Sequence, residues 1–187
     1  MRKACFIAAG AVIFWQVCAC AAEFSADMVS NTPNAAAEGR IFVSEQKVRT
    51  EMAGAIVISR LDRNVNWLIM PAQMTYMEQP FDPKTLLGVS EKAPGETERT
   101  PLGKEIINGR QTDKYRVVYD SEKGTAVMFQ WIDETAMIPV KMAAENGSWS
   151  IEYRNLRVGP QDPALFELPA GYTKMAMPDV SNLMKQG

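Results

Sequence analysis

The sequence predicts a mainly β protein, built as an antiparallel meander of about ten strands with a few short helices. Three observations support this fold class. From Phe24 onward, several segments alternate apolar and polar residues with the period of two that strands show. Two Asn-Gly pairs, the strongest short signal for a β-hairpin, separate such segments. No long segment carries the 3.6-residue apolar stripe of an amphipathic helix.

The first half of the chain contains two kinds of strand pattern. Charged and apolar residues alternate in residues 40–44 and 47–52, so one face of each predicted strand is buried and the other is exposed to solvent. Residues 55–61 and 65–70 are more continuously apolar, which is expected for strands that are covered on both sides or lie centrally. A tight turn separates this pair, and Pro71 ends the second strand because proline has no N–H for the ladder.

The second half is predicted to consist of two hairpins joined by a strand. Asn108-Gly109 connects residues 103–107 to 113–119, and Asn146-Gly147 connects 140–144 to 149–153. Residues 125–132 form the strand between the hairpins. Short helices are expected over residues 82–89 and 179–186, and residues 91–100 are expected to be an exposed connection.

Residues 1–22 have the pattern of a secretory signal peptide. Arg2 and Lys3 form a positive region, and residues 4–17 are almost entirely apolar. Residues 19–22 provide the small side chains that a signal-peptidase cleavage site requires. The apolar run is shorter than the roughly 20 residues that span a bilayer. The sequence therefore predicts an exported protein whose mature part, residues 23–187, is a single domain.

All three cysteines, Cys5, Cys18 and Cys20, lie in this leader. Signal peptidase could cut after Ala21 or Ala22, but residues 17–20 also form an imperfect lipobox, which would leave a lipidated Cys20. Plain cleavage removes two basic residues, so the balance becomes 18 against 22 and the net charge −4. A mature domain of this kind depends on its core rather than on disulfides, and its charge argues against nucleic acid as a partner.

The chain offers little for catalysis. It has no histidine, which excludes Ser-His and Cys-His nucleophile pairs and imidazole-based zinc sites. No phosphate-binding glycine loop, nucleophile elbow or metal-spaced cluster is present. The neighbouring carboxylates Asp133 and Glu134 indicate a solvated turn. We therefore expect that the protein is not an enzyme and binds no cofactor and no metal.

Several segments together resemble the LolA-like superfamily, which comprises periplasmic lipoprotein carriers and their lipid-binding relatives. The later segments resemble a bacterial branch of that superfamily described as a domain of unknown function. The match covers nearly the whole mature chain. The matching residues are 39–43, 47–51, Asp62-Arg63, Trp67, 71–76, 103–105, Asn108-Gly109, Tyr115, 131–133 and 166–172.

The resemblance implies an unclosed half-barrel, a strongly curved antiparallel sheet whose concave apolar side is covered by short helices and binds acyl chains. It implies a periplasmic lipid or lipoprotein acyl-chain carrier. The imperfect lipobox leaves open the alternative of an outer-membrane lipoprotein anchored at Cys20. In the carriers, an Arg-Pro turn between the second and third strands latches the lid; here residues 44–46 are Ser-Glu-Gln, so that latch is not implied. The rival function is an envelope interaction or stress-sensing module that binds a protein partner, such as an inner- or outer-membrane protein.

The mature chain is rich in methionine, whose flexible side chain suits either an adaptable cavity or an ordinary core. The same two alternatives apply to the aromatic residues on these strands. On the cavity alternative, the residues predicted to line the concave face and bind the ligand are Met52, Ile56, Ile58, Trp67, Ile69, Met74, Tyr76, Met128, Trp131 and Met142.

Overall fold

The computed structural model describes residues 22–121 and 124–176, apart from the side chains of residues 84 and 85. The predicted leader, Cys20 and the predicted helix over residues 179–186 lie outside these ranges. Twelve strands form one sheet in the described part of the chain. They are β1 (Phe24–Thr32), β2 (Ala35–Ser44), β3 (Lys47–Met52), β4 (Ala55–Arg60), β5 (Val65–Met70), β6 (Thr75–Pro80), β7 (Glu96–Ile107), β8 (Arg110–Ser121), β9 (Gly124–Asp133), β10 (Pro139–Ala144), β11 (Ser150–Val158) and β12 (Thr173–Lys174).

The sheet consists of two meanders that meet where β1 pairs with β11: the first meander runs from β1 to β6 and the second from β7 to β11. Its order is β12-β6-β5-β4-β3-β2-β1-β11-β10-β9-β8-β7, so β1 pairs with both β2 and β11. Every pairing is antiparallel except that of β12 with β6. The sheet is not closed, and the predicted mainly β, unclosed antiparallel fold is confirmed. The predicted count of about ten strands is short of the twelve observed.

The connections follow the turn chemistry of the sequence. Asn108 and Gly109 both have positive φ, 49° and 77°, as the two-residue hairpin turn between β7 and β8 requires. The helices of the described ranges are single 3-10 turns, at Leu61–Arg63, Pro71–Gln73, Pro83–Leu86 and Pro163–Phe166. The helix expected over residues 82–89 is therefore only four residues long.

Strands β4 and β5 are mainly apolar on both faces, but the two faces have different coverings. Directly paired residues of antiparallel strands point to the same side, so Thr50, Val57 and Leu68 share one face, which we call the cavity face. Ile58 and Trp67 share the opposite face, which we call the outer face.

Residues 86–95, here named the cover segment, lie over the continuation of the cavity face in the second meander, where this face carries Met128 and Val117. Ala93 is 3% exposed and packs with Val117 of β8 and Met128 of β9. Gly88 has a φ of +96°, and a Cβ at this position would collide with the sulfur of Met142. Glycine therefore lets the cover segment approach the sheet closely.

The outer face of the first meander is covered by the C-terminal segment, residues 163–174. Phe166 is fully buried in a cluster with Ile58, Trp67 and Ile69. Arg60, itself 3% exposed, donates to the carbonyl of Phe166 over 3.1 Å. The segment ends in β12, which pairs with β6 in parallel.

The expectation of a solvated turn at Asp133 and Glu134 is wrong for Asp133, which is 3% exposed. Its carboxylate accepts hydrogen bonds from the backbone N–H of Thr135 and Ala136 and from Arg110 over 2.8 Å. The turn after β9 directs its donors at this side chain, so the charge is buried but fully partnered.

Candidate functional site

A cavity of about 360 Å³ lies between the cavity face of the first meander and the cover segment. Most of its lining side chains are aliphatic, and none of the described ones is an acid or a base. The residues that line it are Met28, Ile41, Val48, Thr50, Val57, Ser59, Asn66, Leu68, Gln79, Leu86, Leu87, Val89, Ile151 and Tyr153.

Strand register arranges this lining into rows that run across the sheet. Thr50, Val57 and Leu68 are paired in succession across β3, β4 and β5 and form a mainly apolar row. One step along the strands, Ser59 pairs with Asn66 and Asn66 with Gln79, which gives a row of uncharged polar side chains. The side-chain oxygen of Asn66, Oδ1, is buried and accepts no hydrogen bond from the residues that the structure describes.

Arg99 of β7 holds the wall formed by the cover segment. Its Nη2 donates to the carbonyl oxygen of Glu91 in the cover segment over 2.7 Å and to Oε1 of Gln130 on β9 over 2.9 Å. The same guanidinium pairs with Glu96, whose carboxylate also accepts from the backbone N–H of Ala93. Arg99 is therefore one of the residues that fasten the cover segment to the second meander.

The positive charge of Arg99 is compensated by the carboxylate of Glu96. Burial by itself raises the pKa of Glu96, but hydrogen bonds from Arg99 and from the N–H of Ala93 outweigh it, so the pKa lies below its usual value. Glu96 is therefore ionised at neutral pH. Inside the cavity, burial raises the pKa of Tyr153 above its usual value, so that phenol stays neutral.

None of the ten residues predicted to bind the ligand lines this cavity. Five of them share the outer face of the first meander, packed with Phe166 and other residues of the C-terminal segment. These five are Ile56, Ile58, Trp67, Ile69 and Tyr76. Trp67 also donates from Nε1 to Glu78 over 3.1 Å. That these residues bind a ligand stays a prediction of the sequence.

Four of the remaining five lie in other parts of the core or next to it. Met142 is fully buried and Met52 partly buried in the cluster around β1, whereas Met128 packs with Val117 and the cover segment. Met74 is 54% exposed in the turn before β6.

Trp131 is 6% exposed on the outer side of β9. The ammonium groups of Lys114 and Lys141 lie 4.8 and 5.1 Å from the centre of its ring. Its indole N–H donates to Glu105 over 2.7 Å. Trp131 is thus enclosed by charged side chains, and the structure does not bring it to the cavity.

Sequence reasoning missed Val57 and Leu68, which alternate with the residues it selected on the same two strands. It also missed Leu86, Leu87 and Val89, which form the cover side of the cavity. The continuous apolar runs at 55–61 and 65–70 did contain a signal for these residues, because strands with such runs are covered on both faces. Pattern alone does not say which face meets a ligand.

Within residues 22–121 and 124–176, no group of three or more Cys, Asp or Glu side chains is arranged to hold a metal ion. None of the helices in these ranges combines the length and apolar character that crossing a membrane requires.

No protein-family model and no curated protein matches the sequence. Solved structures do match. The chain is 15% identical to MucB, in a crystal structure of MucB in complex with MucA(peri), with a TM-score of 0.51 over 83% of this chain and 57% of MucB. It is 10% identical to PNGF-II, with a TM-score of 0.52 over 88% of this chain and 33% of PNGF-II. A putative outer membrane lipoprotein-sorting protein domain from Vibrio parahaemolyticus is 14% identical, with a TM-score of 0.37 over 76% and 88% of the two chains.

The chain therefore spans little more than half of MucB and a third of PNGF-II. At these identities the likeness concerns the fold alone. MucB shares the LolA-like fold, so the resemblance predicted from the sequence is confirmed at the level of fold: the chain has a LolA-like architecture.

Proposed function

We propose that this chain is an exported, non-enzymatic protein of the bacterial envelope that binds a lipid or lipoprotein acyl chain in its cavity. The observation that carries the proposal is the lining: a cavity of about 360 Å³ whose described side chains are mostly aliphatic and carry no charge. Its volume lies within the range of roughly 300–1,000 Å³ that small-molecule sites occupy.

An acyl chain suits such a lining on energetic grounds. Each methylene removed from water contributes about 0.8 kcal/mol, and no specific polar partner is needed along the chain. Thr50 is the polar residue of its row, and the other two residues, Val57 and Leu68, are apolar. The cover segment adds Leu86 and Leu87 from the opposite side, so a chain lying between them is apolar on both flanks.

Val57 supports a route of entry. It belongs to the lining and is 37% exposed, and we propose that the cavity opens beside it on β4. An acyl chain can enter at this point without unfolding the sheet, while Arg99 keeps the cover segment on the second meander.

Native mass spectrometry of the protein purified from the periplasm, followed by lipid extraction, tests the proposal. Leu68→Trp fills the cavity and is expected to remove the bound mass and the uptake of a fluorescent acyl probe. Ile106→Trp is the matched control, because Ile106 is 65% exposed on β7 and lies outside the lining. A wild-type protein with no bound lipid and no uptake of the probe would exclude acyl-chain binding.

A second candidate, an envelope module that binds a protein partner, is supported by the free edge of the sheet. β7 lies at one end of the strand order, and its residues Leu102 and Ile106 are 49% and 65% exposed. The likeness to MucB, which was crystallised with MucA(peri), is consistent with such a role. Bulges near Glu98 and Gly103 interrupt the edge, so contact is expected at residues 104–107 rather than along all of β7.

A photo-crosslinking amino acid at Ile106, compared with one at the exposed Thr125, tests this second role. One discrete crosslinked protein at position 106 and none at 125 would support it. No crosslink at position 106 in cells, together with lipid in the cavity, would leave the carrier role alone.

We also propose that the protein resides in the periplasm, on the basis of its leader, or alternatively is anchored through Cys20. Labelling with palmitate in the wild type and in Cys20→Ala distinguishes these forms. Label that disappears in the variant shows the anchor, and an unlabelled wild type shows the free protein.

A further inference from the structure

We infer that Met70, Met77 and Met175 form a binding site for a soft monovalent metal ion, Cu(I) or its analogue Ag(I), at the β12 edge of the sheet. The site lies on the cavity face, beside the cavity, and does not depend on acyl-chain binding. The chain contains 12 methionines, and the described lining of the cavity includes one of them, Met28. The proposed function therefore leaves most of the methionine content unexplained.

Strand register brings Met70 and Met77 together. Leu68 of β5 pairs directly with Met77 of β6, and Met70 lies two residues further along β5 than Leu68. Residues two apart on a strand point to the same face, so both methionines lie on the cavity face as diagonal neighbours. Diagonal neighbours in an antiparallel pair lie about 7–8 Å apart, a distance that long side chains bridge.

Met175 joins this pair from the end of β12. Its backbone N–H donates to the carbonyl oxygen of Tyr76 over 2.8 Å, which continues the parallel pairing of β12 with β6. In this pairing Lys174 is the partner of Tyr76, so the next residue, Met175, lies beside Met77. Tyr76 belongs to the outer face, and the alternation of strand residues therefore directs Met77 and Met175 to the cavity face.

The three thioethers are accessible to an ion. Met70 and Met77 are partly buried, and Met175 is 44% exposed. The apolar clusters of the described residues include none of the three, whereas Met128 and Met142 are fully buried members of such clusters. A methionine side chain is unbranched and has three rotatable bonds, so neighbouring sulfurs can turn toward one ion without a change of backbone.

The donor atoms determine the class of ion. Thioether sulfur is a soft ligand that suits Cu(I), whereas zinc takes thiolate, imidazole or carboxylate ligands and calcium and magnesium take oxygen ligands. The sequence contains no histidine, and its three cysteines are Cys5, Cys18 and Cys20. Methionine is therefore the soft ligand that residues 21–187 offer. The expectation that the protein binds no metal rests on missing histidine and missing metal-spaced clusters, and it does not concern thioethers.

Met74 provides the matched control. It lies in the turn before β6 and is 54% exposed, so it is more accessible than Met175. Its methyl group lies 3.7 Å from the position that a Cβ on Gly171 would take. Gly171 belongs to the C-terminal segment that covers the outer face, so Met74 approaches the other side of the sheet edge.

Titration with Ag(I) of the protein purified from the periplasm tests the inference, after any thiol has been blocked with N-ethylmaleimide. Native mass spectrometry is expected to show one bound ion per protein. With methionine methyl groups labelled with carbon-13, we expect the resonances of Met70, Met77 and Met175 to shift on addition of Ag(I). The resonance of Met74 is expected to stay in place.

Leucine variants measure the contribution of each ligand, because leucine keeps the side-chain volume and removes the sulfur. Competition for Cu(I) against bicinchoninate under reducing conditions gives the affinity. We expect Met70→Leu and Met77→Leu each to weaken binding at least about 10-fold, since loss of a residue that only supports a metal ligand already costs that much. Met74→Leu is expected to keep the wild-type affinity.

Three results would overturn the inference: no stoichiometric binding by the wild type, an equal loss of affinity in Met74→Leu, or binding that survives when Met70, Met77 and Met175 are all replaced by leucine. Each of them would leave acyl-chain binding in the cavity untouched. The methyl shifts of the wild type decide the question even if a variant does not fold.

Discussion

Arg99 of β7 donates a 2.9 Å hydrogen bond from Nη2 to the side-chain oxygen of Gln130 on β9, deep beneath the cover segment. Gln130 is fully buried, and its amide nitrogen donates in turn to the carbonyl of Ser90 in that segment over 3.4 Å. Arg99 and Gln130 thus bridge β7 and β9, and each also donates to a carbonyl of the cover segment, Arg99 to Glu91 and Gln130 to Ser90. We expect the cavity wall to depend on these contacts.

Arg99→Ala is expected to release the cover segment. Removal of the guanidinium leaves Glu96 without its ion-pair partner and removes a hydrogen bond to buried Gln130. Breaking a buried pair costs roughly 3–5 kcal/mol, and because the Arg99 side chain is 20% exposed we expect the lower end, about 3 kcal/mol of unfolding free energy. Hydrogen exchange should accelerate in residues 86–95 well before it does in β1–β6.

Arg116→Ala is the control for this experiment, because Arg116 pairs with Glu145 at 34% and 44% exposure. Exposed pairs contribute about 0–1 kcal/mol, so a small effect is expected. Unchanged exchange in residues 86–95 of Arg99→Ala would show that the arginine does not hold the cover.

Gly88→Ala is expected to disturb the same wall sterically. The φ of +96° strains any other residue, and the added Cβ meets the sulfur and methyl end of Met142, a fully buried side chain that has to shift. Overpacking of this kind typically costs about 1–3 kcal/mol in chemical denaturation. Gly147→Ala has a similarly positive φ of +72° but meets nothing within 4 Å, so it reports the backbone strain alone. Equal losses in the two variants would show that contact with Met142 is unimportant.

Phe166→Ala is expected to destabilise the protein without removing its acyl-binding site. The ring is fully buried against Ile58 and Ile69 on the outer face, and truncation of such a residue costs roughly 3–5 kcal/mol. The melting temperature should therefore fall, while probe affinity measured well below it should stay within about twofold of wild type. Loss of affinity in the folded variant would place the ligand on the outer face, among the residues selected from the sequence.

Acid is expected to destabilise the fold through its buried carboxylates. Burial alone raises the pKa of Asp133, but hydrogen bonds from Arg110 and from the N–H groups of Ala136 and Thr135 outweigh it and hold the pKa below its usual value. Because the pKa is lower in the folded protein, the stabilisation is present above the unfolded value of about 3.9 and is lost as the pH falls through and below it.

Urea midpoints measured from pH 7 to pH 3 test this pH dependence. We expect the midpoint of the wild type to drop below about pH 4. Asp133→Asn should be less stable at pH 7 and show a shallower drop. The same slope in both proteins would mean that Asp133 does not contribute to acid sensitivity.

The sequence predicts the strands well because alternation and turn residues act locally. Both Asn-Gly pairs form turns between the strands they were expected to join, and Pro71 ends β5. The two-residue β12 carries no such pattern. It depends on the backbone oxygens of Met74 and Tyr76, which accept from Thr173 and Met175 at 3.0 and 2.8 Å. Pairing of this kind is settled by tertiary contact rather than by local propensity.

The candidate site is harder to predict because β4 and β5 are apolar on both faces. A shift of one residue along such a strand exchanges its two faces, and only the covering elements tell them apart. Ile58 meets Phe166 and Val57 meets the cavity, yet both are ordinary strand residues in the sequence. Nor does the sequence show that Arg99, in what was expected to be an exposed connection, reaches Gln130.

The most direct test of the central claim is residue-level mapping of a photoactivatable, uncharged ten-carbon acyl probe by mass spectrometry. Binding in the cavity predicts crosslinks at Val57, Leu68 and Leu86 or Leu87, on the cavity face and the cover segment. Crosslinks confined to Ile58, Trp67 or Phe166, or no saturable crosslinking at all, would contradict it.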